Sequence, residues 1–119
     1  FIIKKCFFQM NILFVCSANR DRSRTAEIHF QHKHPELRFR SAGINDFLSK
    51  RHGGIYLERY MLDQASRIVC MEQEHANYIL KRFDGQYHDK IEILNLGDTE
   101  PFMAAGLIAM LEEKFNLHL

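Results

Sequence analysis

Apolar residues are distributed along this chain in two rhythms. Short apolar-rich runs alternate with longer stretches in which apolar positions recur every three or four residues. The runs are residues 11–16 (NILFVC), 67–71 (RIVCM) and 91–96 (IEILNL), the pattern of strands covered on both faces. Residues 37–42 instead alternate Leu37, Phe39 and Ser41 with Arg38 and Arg40, which predicts a strand with one wetter face, at an edge. Helical spacing is found over residues 23–34, stopping before Pro35, and over 55–62, 72–83 and 103–115. Residues 45–54, with Asp46, Ser49, Lys50, Arg51, His52 and two glycines, predict a mobile surface loop.

Strands alternating with helices imply an α/β fold of three layers, a four-stranded parallel sheet with helices on both faces. Ligands of such sheets bind beyond the carboxyl ends of the strands, so the loops at 17–22, 43–54 and 97–102 are the places for a site. The 119 residues suffice for one core. We read residues 10–119 as a single domain and 1–9 as an N-terminal extension of unknown role. Sixteen basic against fifteen acidic residues give a net charge of +1, which disfavours a broad nucleic-acid surface. No run reaches the roughly 18 apolar residues of a membrane span, and three cysteines are too few for a disulfide framework. The expectation is a cytoplasmic protein with neither a nucleic-acid nor a membrane partner.

The chemistry concentrates after the first strand. Cys16 ends the run NILFVC, Arg22 follows six residues later, and Ser23 opens a helical stretch. A strand-to-helix loop turns successive backbone N–H groups inward, and the helix N-terminus adds partial positive charge, so the loop can cradle a phosphate dianion. Arg22 can hold two phosphate oxygens through its planar fork. The same field favours a thiolate at Cys16, a nucleophile aimed at phosphorus.

The segment ILFVCSANRDRSRTAE resembles the active-site loop of the low-molecular-weight protein tyrosine phosphatases, which carry Cys-x5-Arg-Ser after the first strand of a four-stranded parallel sheet, the phosphotyrosine phosphatase I-like fold. RFRSAGI, ASRIVCMEQEH and ILNLGDTEPFM resemble that family's later segments, in the form of a shorter bacterial branch. The resemblance implies a hydrolase acting on phosphotyrosine or aryl phosphate monoesters through a cysteinyl-phosphate intermediate, with no metal or organic cofactor. It implies Cys16 as nucleophile, Arg22 as phosphate clamp and Asp98 as general acid, with Glu100 as the alternative acid. Ser17, Ala18, Asn19, Arg20, Asp21, Arg22 and Ser23 would surround the phosphate. Asn19, in a left-handed conformation, would be supported by Ser41, and Ser23 would stabilise the thiolate. Partners so implied are a phosphotyrosine protein or small aryl phosphate, with inorganic phosphate as product or ligand.

This chain departs from the family pattern at several positions. Ala18 stands where Gly is usual, Asp21 where a second Cys is usual, Arg24 where Pro is usual, and Ala104 where the short branch often has Asp. The carboxylate of Asp21 opposes a dianion unless Arg20 or Arg24 neutralises it. Two other readings of the same loop are an arsenate reductase, which needs further cysteines as a relay, and a catalytically weak module that binds phospho-ligands. Cys70, inside RIVCM, is expected in the core. His29, His32 and His34 are expected as solvated helix-end residues rather than metal ligands. Phe47, Tyr56 and Phe102 are candidates to wall an aryl pocket.

Overall fold

The computed structural model describes residues 10–117; the extension at 1–9, with Cys6, lies outside the described residues. Four strands, β1 (Asn11–Cys16), β2 (Arg38–Gly43), β3 (Arg67–Cys70) and β4 (Ile91–Ile93), form one sheet in the order β2-β1-β3-β4. All three pairings are parallel. The helices are α1 (Arg22–Lys33), α2 (Asp46–Arg51), α3 (Arg59–Gln64), α4 (Gln73–Arg82) and α5 (Ala105–Lys114). The layered α/β architecture expected from the sequence is the one observed, and β2 occupies an edge.

Alternation along β1 divides the core in two. Ile12, Phe14 and Cys16 point into one cluster with Ala26 and Phe30 of α1, Phe39, Val69 and the α5 residues Leu107 and Leu111. Leu13 and Val15 point into the other, with Met61 and Leu62 of α3, Ile68, Cys70 and the α4 residues Ala76 and Ile79. A central strand with both faces covered must be apolar throughout, which is why NILFVC reads as an unbroken run. Phe14 is the hub of its side: it stacks on Phe30 and Phe39 and meets Phe115 edge-on at 5.1 Å.

Three local expectations are corrected. The stretch 45–54 is not an irregular loop: Asn45 caps α2 by accepting from the Leu48 N–H at 2.9 Å, and Ser49 of that helix is buried. The helix expected over 55–62 begins only at Arg59, because Tyr56 pairs in an isolated bridge with Gly43 and the Gly43 and Leu57 N–H groups donate to Ile55 and Gly43. Regular pairing of the fourth strand ends at Ile93 rather than at residue 96, since Asn95 takes a positive φ of 57°. The Leu94 and Leu96 N–H groups nevertheless still donate to Cys70 and Met71.

In the order β2-β1-β3-β4, the connections leaving β1 and β2 run to opposite sides of β1. The crevice this opens at the carboxyl ends of β1 and β3 is where such sheets hold their ligands.

Candidate active site

The carboxyl end of β1 runs straight into a loop folded around Cys16. Asn19 is its keystone. Its φ of 51° is a left-handed conformation that Asn tolerates well, and its amide is fully used. Nδ2 donates to Ser23 Oγ at 2.8 Å and to Ser41 Oγ at 2.9 Å, while Oδ1 accepts from the Ile55 N–H at 2.8 Å. Ser41 in turn donates to a Glu27 carboxylate oxygen.

This network bears on the hydrogen bond at the sulfur. Ser23 Oγ lies 2.9 Å from Cys16 Sγ. Asn19 already donates to Ser23 Oγ, which leaves the Ser23 hydrogen free to point at the sulfur, and a thiolate at Cys16 can only accept it. Ser23 is wholly buried inside α1; the residue at the helix N-cap is Asp21, whose side chain makes no capping bond.

Two glycines let neighbouring backbone press against the loop. A Cβ on Gly43 would run into Ser49 Oγ and lie 2.8 Å from both Asn19 N and Ser17 O; one on Gly54 would lie 2.6 Å from Asn19 O. The Ile44 and Asn45 N–H groups donate to the carbonyls of Cys16 and Ser17, so the β2–α2 connection grips the loop from outside.

Arg22 is 3% exposed, and a guanidinium that deep requires partners. Its Nη1 donates to a Glu72 carboxylate oxygen and, at 3.0 Å, to the Leu96 carbonyl, while Nε lies 3.9 Å from Asp98 Oδ1. Anchored through one edge, the fork keeps its remaining donors for the cavity.

Sequence reasoning missed the β3–α4 turn. His75 is fully buried and, with Glu72, forms a capping box: the Glu72 side chain accepts from the His75 backbone, and His75 Nδ1 accepts from the Glu72 N–H at 3.0 Å. Since a backbone amide can only donate, Nδ1 is unprotonated and the neutral ring carries its hydrogen on Nε2. Nε2 lies 3.0 Å from Ser17 Oγ, so His75 donates to Ser17, and the Ser17 hydroxyl proton is directed elsewhere. Burial above all, and then the charge of Arg22, push the His75 pKa down to about 4. The signal in the sequence was Glu-x-x-His at the helix start, the spacing of reciprocal capping.

These groups enclose a small cavity of about 110 Å³ lined by Cys16, Ser17, Ala18, Arg20, Asp21, Arg22, His52 and Asp98. Each of the three sequence-nominated loops contributes to it. Asp98 faces it with a largely exposed side chain, whereas the Glu100 carboxylate lies against Gly106 at the start of α5. His52 is a second residue that the sequence did not single out. The aromatic candidates are elsewhere: Tyr56 shares a hydroxyl contact of 2.6 Å with Tyr78, Phe47 is 68% exposed on α2, and Phe102 borders a neighbouring groove. Glu72, Glu74 and His75 place potential metal-ligand atoms within 4.8 Å of one another. Both His75 nitrogens and one Glu72 oxygen are already engaged there, which leaves no ready coordination set.

No family model matches the sequence, and no curated protein matches it. Solved structures do match. The YwlE arginine phosphatase of Geobacillus stearothermophilus is 25% identical, with a TM-score of 0.64 over 88% of this chain and 92% of that one. A low-molecular-weight protein tyrosine phosphatase of Bacillus subtilis is 25% identical, with a TM-score of 0.60 over 71% and 70%. The tyrosine phosphatase Wzb of Escherichia coli K30, solved with phosphate, aligns with a TM-score of 0.68 over 87% and 91% at 20% identity, a likeness of fold. No helix among the described residues is long and apolar enough to cross a membrane. In its four-stranded parallel sheet and the strand-to-helix loop that follows β1, the chain is similar to low-molecular-weight protein tyrosine phosphatases of known structure.

Proposed function

We propose that this protein hydrolyses phosphate monoesters, with phosphotyrosine or a similar aryl phosphate as substrate, through a phosphocysteine intermediate. The observation that carries this reading is that Cys16, Arg22 and Asp98 all line one small cavity, with Arg22 Nε 3.9 Å from Asp98 Oδ1. The Cys16 thiolate attacks phosphorus, forming an S–P bond as the P–O ester bond breaks. Asp98 passes its proton to the departing oxygen, which leaves as the alcohol or phenol. Loop N–H groups and Arg22 hold the equatorial oxygens while charge gathers on them. In the second step Asp98, now a carboxylate, takes a proton from water as that water attacks phosphorus. The S–P bond breaks, inorganic phosphate forms, and the Ser23 hydroxyl stabilises the released thiolate.

Two features bear on the choice among substrates and readings. Arg20 stands at the cavity mouth with 61% of its side chain exposed, and its charge opposes a cationic leaving group such as an arginine side chain, which favours a neutral or acidic ester. Cys70 is fully buried, and burial pushes its thiol up to about 12, so it makes a poor relay for arsenate reduction.

The test is hydrolysis of phenyl phosphate between pH 5 and 8. We expect Cys16→Ser to lower kcat by at least about 10³-fold and Asp98→Asn by about 10², with Glu100→Gln near parental. Full turnover in Cys16→Ser overturns the reading. Phosphate binding without turnover in the parent leaves a binding module.

A further inference from the structure

A second concavity adjoins the first. A groove of about 350 Å³ is lined by Arg20, Asp21, Arg24, Pro101 and Phe102, and it shares Arg20 and Asp21 with the phosphate cavity. Its wall is anchored on both sides. Phe102 belongs to the connection into α5, which is tied to α1 by the Met103 N–H donating to Thr25 Oγ1 at 2.9 Å, directly beside Arg24. The Arg24 guanidinium lies 6.0 Å from the centre of the Phe102 ring.

The polar inventory of this groove is unbalanced. Asp21 sits 3.9 Å from Arg20 and is that arginine's ion-pair partner. Arg24 is half-buried and, among the described residues, has the Phe102 face but neither a carboxylate nor a carbonyl to receive its N–H groups. Two guanidinium groups therefore face one carboxylate, in a chain whose overall charge is nearly balanced at +1. A guanidinium steadied on an aromatic face with its donors unspent is a ready receptor for a carboxylate or phosphate.

We propose that the Arg24 groove is an anion subsite: the preferred substrate is a phosphomonoester bearing a second acidic group, received by Arg24 and Arg20 while the scissile phosphate occupies the Cys16 loop. This deepens the phosphatase reading and rests on it. The apolar faces of Pro101 and Phe102 pack the scaffold that links the two acidic groups. Asp21, which opposes a dianion in the inner cavity, here holds Arg20 toward the rim between the two sites.

The test uses the full chain carrying Cys16→Ser, so that binding is read without turnover. Its ligands are two phosphotyrosyl peptides that differ only in flanking glutamates or glutamines, together with phenyl phosphate and benzene-1,3-diyl bisphosphate. An acidic ligand binding about 3- to 10-fold tighter than its neutral counterpart, with the margin erased by Arg24→Gln and shrinking with salt, supports the subsite. The peptide pair reports a carboxylate source for the second anion and the bisphosphate a phosphate source. Equal affinities in both pairs, or a margin that survives Arg24→Gln, overturn the subsite. Hydrolysis of phenyl phosphate by the unaltered chain is measured alongside. If it proceeds while the affinities are equal, the subsite alone falls; if no phosphate ligand binds at all, both readings fall.

Discussion

His75 Nε2 stands 3.0 Å from Ser17 Oγ, and the same ring accepts the Glu72 N–H through Nδ1. One imidazole thus joins the residue after the candidate nucleophile to the first turn of α4. Glu72, at the other end of that reciprocal cap, holds Arg22. A single turn therefore positions both ends of the phosphate loop.

That double contact separates by substitution. In His75→Asn the amide oxygen occupies the place of Nδ1 and retains the cap but does not reach Ser17; in His75→Gln the side chain reaches Ser17 and the cap is lost. We expect His75→Asn to keep most of the stability while kcat falls about 10-fold, and His75→Gln to lose about 1–3 kcal/mol while retaining more turnover. Denaturant melts and steady-state kinetics on both variants check this, and Ser17→Ala should reproduce the kinetic defect of His75→Asn without adding to it.

The buried neutral ring also sets a pH dependence. The folded chain holds the His75 pKa at about 4, below its ordinary 6.5, so between these values the unfolded chain binds more protons. Stability therefore rises with pH in this window: it is fully present above about 6.5 and is lost as pH falls toward about 4. Urea midpoints measured from pH 7 to 4 should fall more steeply for the parent than for His75→Asn; parallel curves would refute the assignment.

Ser49 Oγ is buried without a hydrogen-bond partner among the described residues and occupies the space where a Cβ on Gly43 would go. Ser49→Ala removes an unsatisfied hydroxyl and should stabilise the fold by about 1 kcal/mol. Gly43→Ala should cost about 1–3 kcal/mol, part of it recovered in the double variant, since the Asn19 and Ser17 backbone atoms at 2.8 Å remain in the way. Thermal unfolding of the three proteins measures each step.

Asn19→Asp replaces the donating amide with an acceptor of the same shape. Ser23 and Ser41 lose their donor, and Ser23 is free to turn from the sulfur. We expect kcat for phenyl phosphate to fall by about 10²-fold with the secondary structure unchanged by circular dichroism.

Much of this was legible because β1 and β3 are continuous apolar runs and α4 has a helical period, and because Cys16, Asn19, Arg22 and Ser23 fall within eight residues of chain. Ser41 reached the site through the family resemblance, and the structure puts it at 2.9 Å from Asn19. Helix α2 was hidden because its six residues, DFLSKR, are too short to show a period and its cap is a lone Asn45. The end of β4 was misread because only a backbone dihedral at Asn95 interrupts it. His75 and Glu72 escaped because their partners, Ser17 and Arg22, are 58 and 50 residues away. Glu-x-x-His announces a helix start; what it is bonded to depends on the sheet order.

The carbonyl of Leu96 holds Arg22 just two residues before Asp98. The segment that carries the proposed acid is thus also a tether for the proposed phosphate clamp. Lengthening or swinging this segment would therefore shift the aim of the guanidinium and the position of the Asp98 carboxylate together, so the two groups cannot be re-aimed independently by a change of backbone there.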